Sequence, residues 1–347
     1  MSLPSIQKAD LLSNESWDRR LFIASEGFEA RSLSWIASQP EEVLFRNAII
    51  CKYTPSKKSR FNEISQEVKK RTCEDVIILA YNRFAPTPFE VEFEETLIGL
   101  LPQVHEIIID ISAMSKLLIM ILLHVLRAYD GTLRIIYSEP RTWSPTEAEF
   151  IQKKPDLEQG AFVSLSSVGV YNIVRTPGLS SVVMQDSPAL LVAFASTNGH
   201  LVNAVANEVT PSLTLLINSK NTREPWREVA ALDIQRSFIK DFPMYPGEIQ
   251  VFDLIDYKSV FEYLAEIYRT NCYDRRIIIA PTGGKLHTVA CALLKNCCSD
   301  VHIEYPTPES YIFDAYSSEE IYAMHQIIFP NFANLFRPLS EEYELNG

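Results

Sequence analysis

Residues 20–143 and residues 190–311 carry the same three signatures in the same order, so the chain reads as a duplicated unit. Ser25-Glu26-Gly27 follows Leu21-Phe22-Ile23-Ala24, and Thr197-Asn198-Gly199 follows Leu191-Val192-Ala193-Phe194-Ala195-Ser196, an offset of 197 − 25 = 172. Ile107-Ile108-Ile109 leads into Asp110-Ile111-Ser112-Ala113-Met114-Ser115-Lys116, as Ile277-Ile278-Ile279 leads into Ala280-Pro281-Thr282-Gly283-Gly284-Lys285, an offset of 282 − 112 = 170. Tyr137-Ser138-Glu139-Pro140-Arg141-Thr142-Trp143 matches Tyr305-Pro306-Thr307-Pro308-Glu309-Ser310-Tyr311 as Tyr-x-x-Pro-x-x-aromatic, an offset of 305 − 137 = 168. Three anchors held this nearly in register predict repeated architecture. They predict two copies of one loop-lined site brought face to face, with the function between the halves.

Within each half, short β-branched runs alternate with longer amphipathic stretches, the pattern of a parallel sheet covered by helices on both faces. Strands are predicted over 21–24, 48–53, 75–80, 106–110 and 133–137, and again over 189–194, 213–218, 249–253, 276–280 and 301–305. Helices are predicted over 28–38, 61–71, 89–101 and 114–129, then over 199–209, 226–240, 257–270 and 285–295. Ile107-Ile108-Ile109 and Ile277-Ile278-Ile279 are apolar on consecutive positions, as suits central strands buried on both faces. The fold class expected is therefore α/β, with two tandem Rossmann-like parallel-sheet halves related by a pseudo-twofold axis. The expected divisions are an N-terminal half over 1–143, a linker with an edge hairpin over 144–188, and a C-terminal half with its tail over 189–347. The linker holds two β-like pieces, 161–166 and 170–174, and the tail predicts a helix over 318–327 packing across one domain.

A chain of 347 residues, 47% of them hydrophobic, can bury a core in each half. Its net charge of −12 argues against long nucleic acid bound through a basic surface, while leaving room for a small anion in a local pocket. The six cysteines form no C-x-x-C pair, so neither zinc nor a disulfide framework is expected, and reduced thiols place the chain in the cytoplasm. Residues 1–18 contain no apolar signal-peptide core, and the apolar run 117–125 falls short of the ~20 residues of a membrane span. No membrane association is expected.

Ligands of open parallel sheets sit at the carboxyl ends of the strands, where the strand order reverses. Helix N-termini there offer N–H groups and a positive dipole end to phosphate. Thr282-Gly283-Gly284-Lys285, between a predicted strand and helix, fits that use: the glycines admit a ligand to the backbone, Thr282 offers a hydroxyl and Lys285 a charge. The same loop also reads as a tight strand-to-helix turn without a ligand. It is not a Walker A loop, because Leu286 follows the lysine.

Strand-Thr-Gly-Gly-Lys-helix resembles the Thr-Gly-Gly-Thr-Lys loop of the CRISPR-associated Rossmann-fold sensor domains, abbreviated CARF, and tandem halves in one chain are similar to the related SAVED domains. The resemblance implies recognition of a cyclic or linear oligonucleotide second messenger across a twofold or pseudo-twofold axis, in a bacterial defence setting; some CARF proteins also cleave the ring. It implies that Thr282, Gly283, Gly284 and Lys285 hold phosphate and ribose, with Thr197 and Asn198 at the end of that half's first strand. The chain departs from the pattern in lacking the loop's second threonine and in placing Ser112-Ala113-Met114 where the first half would carry glycines. No appended nuclease or helix-turn-helix domain is visible.

In the first half, Glu26, Glu29 and Asp110 read either as a carboxylate cluster for acid-base work, with or without Mg²⁺, or as acidic residues favouring helix N-termini. Ser25, Ser112 and Lys116 could touch the far side of a shared ligand, or Ser112 could simply cap its helix. His200 and His287 lie close to the predicted loops, and no histidine spacing supports a metal site. The aromatics Tyr137, Trp143, Tyr305 and Tyr311 could stack on bases or cover the sheet ends.

Three functions follow as expectations. The first is recognition of a nucleotide-type signalling ligand, without a certain cofactor. The second is an enzyme acting on a nucleotide or phosphodiester through Glu26, Glu29 and Asp110. The third is an adaptor subunit in a larger complex. A protein effector or a second copy of the chain are the partners compatible with these readings.

Overall fold

The computed structural model describes residues 3–13, 15–56, 58–158, 167–312 and 320–336. In chain order the strands are β1 (Gln7–Lys8), β2 (Arg20–Ser25), β3 (Asn47–Tyr53), β4 (Val76–Tyr81), β5 (Glu106–Asp110), β6 (Thr132–Pro140), β7 (Ser167–Val168) and β8 (Asn172–Val174). They continue with β9 (Ala189–Phe194), β10 (Leu213–Lys220), β11 (Val251–Asp253), β12 (Arg276–Ala280), β13 (His302–Ile303), β14 (Tyr305–Thr307), β15 (Ser310–Tyr311) and β16 (Ile321–Phe329). The helices are α1 (Arg31–Ser38), α2 (Phe61–Arg71), α3 (Thr87–Leu100), α4 (Lys116–Val125) and α5 (Glu147–Glu158). After them come α6 (Gly199–Val209), α7 (Trp226–Ile234), α8 (Arg236–Asp241), α9 (Tyr257–Asn271) and α10 (Lys285–Cys297).

The chain divides into two units, Met1–Trp143 with Ser317–Gly347, and Ser144–Tyr316. The first unit's sheet runs β1-β16-β6-β5-β2-β3-β4, and the second's runs β11-β10-β9-β12-β13. Counting only the parallel strands, both units have the order third-second-first-fourth-fifth, with the reversal between first and fourth. Right-handed crossovers then send the helices before and after the reversal to opposite faces.

In the first unit, Phe22, Ala24, Ala48, Ile50, Ile108 and Ile136 share a core with Trp35 and Ile36 of α1 and with Ile64 and Val68 of α2. Leu21, Ile23, Ile107, Ile109 and Leu133 alternate with these residues and are also buried, so both faces are covered. The second unit repeats this, with Leu191, Ala193, Leu216 and Ile278 against Val202 and Val205 of α6 and Phe238 of α8. The helix after the fourth strand is enclosed all round in each unit: Leu117 to Leu123 of α4 and Leu286 to Lys295 of α10 are buried at every position.

Strand register sharpens the repeat. Leu21 pairs with Ile107 as Leu190 pairs with Ile277, giving offsets of 190 − 21 = 169 and 277 − 107 = 170. Ile109 pairs with Ile135 as Ile279 pairs with Ile303, an offset of 303 − 135 = 168 for the fifth strand, which makes Tyr137 and Tyr305 equivalent. The first anchor does not hold: an offset of 169 sets Ser25 against Phe194, three residues before Thr197. The sequence match at Gly27 and Gly199 thus joins two loops at different distances from their strands.

Three further expectations differ from the structure. The tail does not belong with residues 189–312, and 321–327 is not helical; β16 lies antiparallel to β6 from Phe329 opposite Leu133 to Ile321 opposite Pro140. An open strand edge next to Ile327, Ile328 and Phe329 outweighs the helix preference of the preceding residues. Residues 144–188 are part of the second unit: α5 stacks Phe150 on Trp226 of α7 with ring centroids 5.8 Å apart. In place of a hairpin, β8 pairs with β14 and β7 with β15, so this segment runs beside the end of the unit's last strand. The piece 161–166 lies outside the described residues. The single helix over 226–240 is two helices, α7 and α8, divided at Gln235. Among the described residues no helix is long and apolar enough to cross a membrane.

Candidate functional site at the strand carboxyl ends

The candidate carboxylates and the candidate ligand-binding residues fall at the strand reversal of their own unit, while Tyr137, Trp143, Tyr305 and Tyr311 lie at or beyond the fifth strands. Ser25 ends β2 and is followed by Glu26 and Glu29, and Asp110 ends β5 and is followed by Ser112 and Lys116. Thr197 and Asn198 follow β9, and Thr282, Gly283, Gly284 and Lys285 follow β12.

In the second unit the loop is built by packing. The Thr282 hydroxyl accepts the Phe194 N–H at 3.0 Å and donates to the Phe194 carbonyl at 2.7 Å, extending the β9–β12 pairing with a side chain. Thr282 is 2% exposed, so the hydroxyl assigned to a ligand is committed to the sheet. A Cβ on Gly283 would lie 2.8 Å from the Phe194 Cβ, and one on Gly284 would lie 2.8 Å from Leu254 Cδ1. Close packing against the Phe194 Cβ is enough to require Gly283, whereas the neighbour of Gly284 is the tip of a flexible side chain. Gly284 is the N-cap of α10 and carries no side chain to accept a first-turn N–H, while Lys285 opens the helix half-buried. His287 is buried against Phe194 and cannot serve as a base for the loop. Its Nε2 lies 2.8 Å from the Asp253 carbonyl, which only accepts, so Nε2 carries the hydrogen and Nδ1 takes the Ser219 hydroxyl at 3.3 Å.

At the other side of this reversal, α6 begins at Gly199, capped by Asn198 without a side-chain hydrogen bond. His200 in its first turn meets the Ser167 hydroxyl at 3.5 Å, and burial holds its pKa below the usual histidine value, opposed by a hydrogen bond with the Gly169 backbone. It is neutral at physiological pH.

The first unit closes the corresponding space differently. A Cβ on Gly27 would lie 2.6 Å from the Ala113 Cβ, so the loops after β2 and β5 touch directly. Ser112 does not cap α4; its hydroxyl accepts the Ser138 N–H at 2.8 Å, and the cap is Ser115, which accepts from Leu118 N–H at 3.3 Å. Asp110 accepts the Ser112 N–H at 2.9 Å.

The three carboxylates do not act as one cluster. Glu29 is held by Arg31 through both oxygens, at 2.8 and 3.0 Å. Burial works against the Arg31 charge, and Glu29 and Tyr137 outweigh it, raising its pKa. Glu26, 1% exposed, accepts the Ser59 hydroxyl on Oε2 while its Oε1 has no hydrogen-bond partner. Burial pushes the Glu26 pKa up, against Ser59, the Tyr53 backbone and Lys52. Among the described residues no three of His, Cys, Asp or Glu gather in a group that could hold a metal ion.

Sequence reasoning missed Gln235. It is fully buried, its N–H and carbonyl are engaged within the helices, and neither atom of its carboxamide has a hydrogen-bond partner. Its Nε2 lies 3.3 Å from the place a Gly199 Cβ would occupy, at the start of α6. A polar residue in an otherwise amphipathic run gives no sequence signal of this. A cavity of about 500 Å³ lies at the opposite, amino end of the second unit's sheet, lined by Arg175, Ala189, Glu208, Arg276 and Glu304. There Arg175 pairs with both Glu304 and Glu208.

Compared with known proteins, the chain matches no family model and no curated protein.

Proposed function

We propose that this chain recognises a nucleotide-type signalling ligand, of the phosphorylated kind that CARF and SAVED domains bind in bacterial defence. The second unit supplies the phosphate-holding end. The observation that carries the reading is the start of α10 at the strand reversal: a glycine cap followed by Lys285, opposite the start of α6. A helix N-terminus attracts anions through its N–H groups and dipole, and a lysine at its first position adds a positive charge. The first unit's counterpart, α4, is capped by the Ser115 side chain, which supports placing phosphate recognition in the second unit. Calorimetric titration with cyclic oligonucleotides, mononucleotides and NAD tests this. Binding by the wild type and at least tenfold weaker binding by Lys285→Ala is expected; a wild type that binds none of them overturns the reading.

A second reading, catalysis on a nucleotide or phosphodiester, is favoured by Glu26. A buried carboxyl with a raised pKa and an unpartnered oxygen suits proton transfer. Turnover that disappears in Glu26→Gln while binding persists would select it.

A further inference from the structure

We infer that Gln235 is the residue that reads the base of the ligand at the start of α6, an inference that rests on the second unit's binding a nucleotide. α6 is 11 residues long; in its first turn the Leu201 N–H donates to the Asn198 carbonyl at 3.1 Å. The carboxamide of Gln235 stands against its first residue, fully buried, with donor and acceptor both unclaimed. Buried polar atoms are almost always satisfied, so a side chain with both ends open at a helix start points to a bound group. The backbone of Gln235 does not share this condition: its N–H donates to Ala231 and its carbonyl accepts from Ile239. Only the side chain is left to be used.

The chemistry of that amide selects the partner. A carboxamide pairs with a group presenting a donor beside an acceptor, and every nucleobase has such an edge. Phosphate and carboxylate offer acceptors alone and would leave the carboxamide oxygen unpaired. Asn221, in the loop after β10 on the same edge of the sheet, is 8% exposed and also has an unpartnered amide nitrogen. Gly199 brings Ile234 and Gln235 against the helix start, since a Cβ there would lie 2.7 Å from Ile234 Cγ2. Anion recognition then falls to Lys285 and α10, and base recognition to Gln235 and α6, across one strand reversal.

The test compares AMP, UMP and ribose 5-phosphate as probes on the full chain, in the wild type and in Gln235→Met. The wild type should bind the two nucleotides at least tenfold more tightly than ribose 5-phosphate. Gln235→Met should lose that preference, keep its affinity for ribose 5-phosphate, and unfold at the same temperature as the wild type or higher without ligand. Nucleotide binding that is unchanged in Gln235→Met overturns the inference and leaves the phosphate-end reading standing. A lowered unfolding temperature shows the carboxamide to be satisfied within the protein, by an internal water for example, and also overturns it. A wild type that binds neither nucleotides nor ribose 5-phosphate removes both.

Discussion

Thr282 holds both backbone polar groups of Phe194 with one hydroxyl, accepting from its N–H at 3.0 Å and donating to its carbonyl at 2.7 Å. Thr282→Val keeps the shape and leaves two buried backbone groups unpaired, at about 1–3 kcal/mol each. Thr282→Ser keeps the hydroxyl. Denaturant unfolding should show a loss of about 2 kcal/mol or more for the valine variant, with the serine variant within about 1 kcal/mol of wild type.

The contact between Gly27 and Ala113 predicts a coupled pair. Gly27→Ala forces two Cβ atoms together and should cost about 1–3 kcal/mol by overpacking. Adding Ala113→Gly removes one of the two atoms. A double-mutant cycle by urea unfolding should give a coupling of about 1 kcal/mol or more in favour of the pair.

Glu26 predicts a stability that falls as the pH rises. Burial raises its folded pKa, so the folded state holds the proton after the unfolded state has released it. The stabilising contribution is complete below the ordinary glutamate value of about 4.3 and is lost on the way up through the raised value. Glu26→Gln removes the titration while leaving an acceptor for Ser59. Melting temperatures measured from pH 4 to 8 should show the variant gaining on the wild type as pH increases.

Glu304 predicts the reverse. Burial alone would raise its pKa, but hydrogen bonds from His302 and Arg175 outweigh it and hold the carboxyl below its usual range. The His302 Nε2 lies 2.9 Å away and its Nδ1 accepts the Ser181 N–H, which places the ring hydrogen toward Glu304. This stability is present above about pH 4.3 and is lost as pH falls through the depressed value. Glu304→Gln should be less stable at pH 7, with the deficit shrinking in acid melts.

Residues 107–109 and 277–279 made the parallel core legible, because a run of isoleucine on consecutive positions suits a strand buried on both faces. The loop after β12 was legible in place but not in purpose. Thr-Gly-Gly is the pattern a ligand loop and a tightly packed turn share, and what the structure adds is the contact of Thr282 and Gly283 with Phe194. Pairings between distant segments left no local mark: β16 lies beside β6 across 180 residues of sequence, and the open amide of Gln235 depends on Gly199. The pairing of Glu29 with Arg31 was within reach, since the two stand two residues apart at the start of one helix.

Because β16 returns to β6 after all of Ser144–Tyr316, the second unit is inserted into the first. A nascent chain leaving the ribosome therefore finishes its domains in the opposite order to that in which it starts them. The inner domain has every strand it needs while the outer sheet still waits for β16 with β6 bare along one side. An unpaired strand edge is an invitation to pair with a neighbouring chain. Translation pauses or premature stops between residues 312 and 321 should consequently yield aggregates joined through β6, not loose, well-folded fragments.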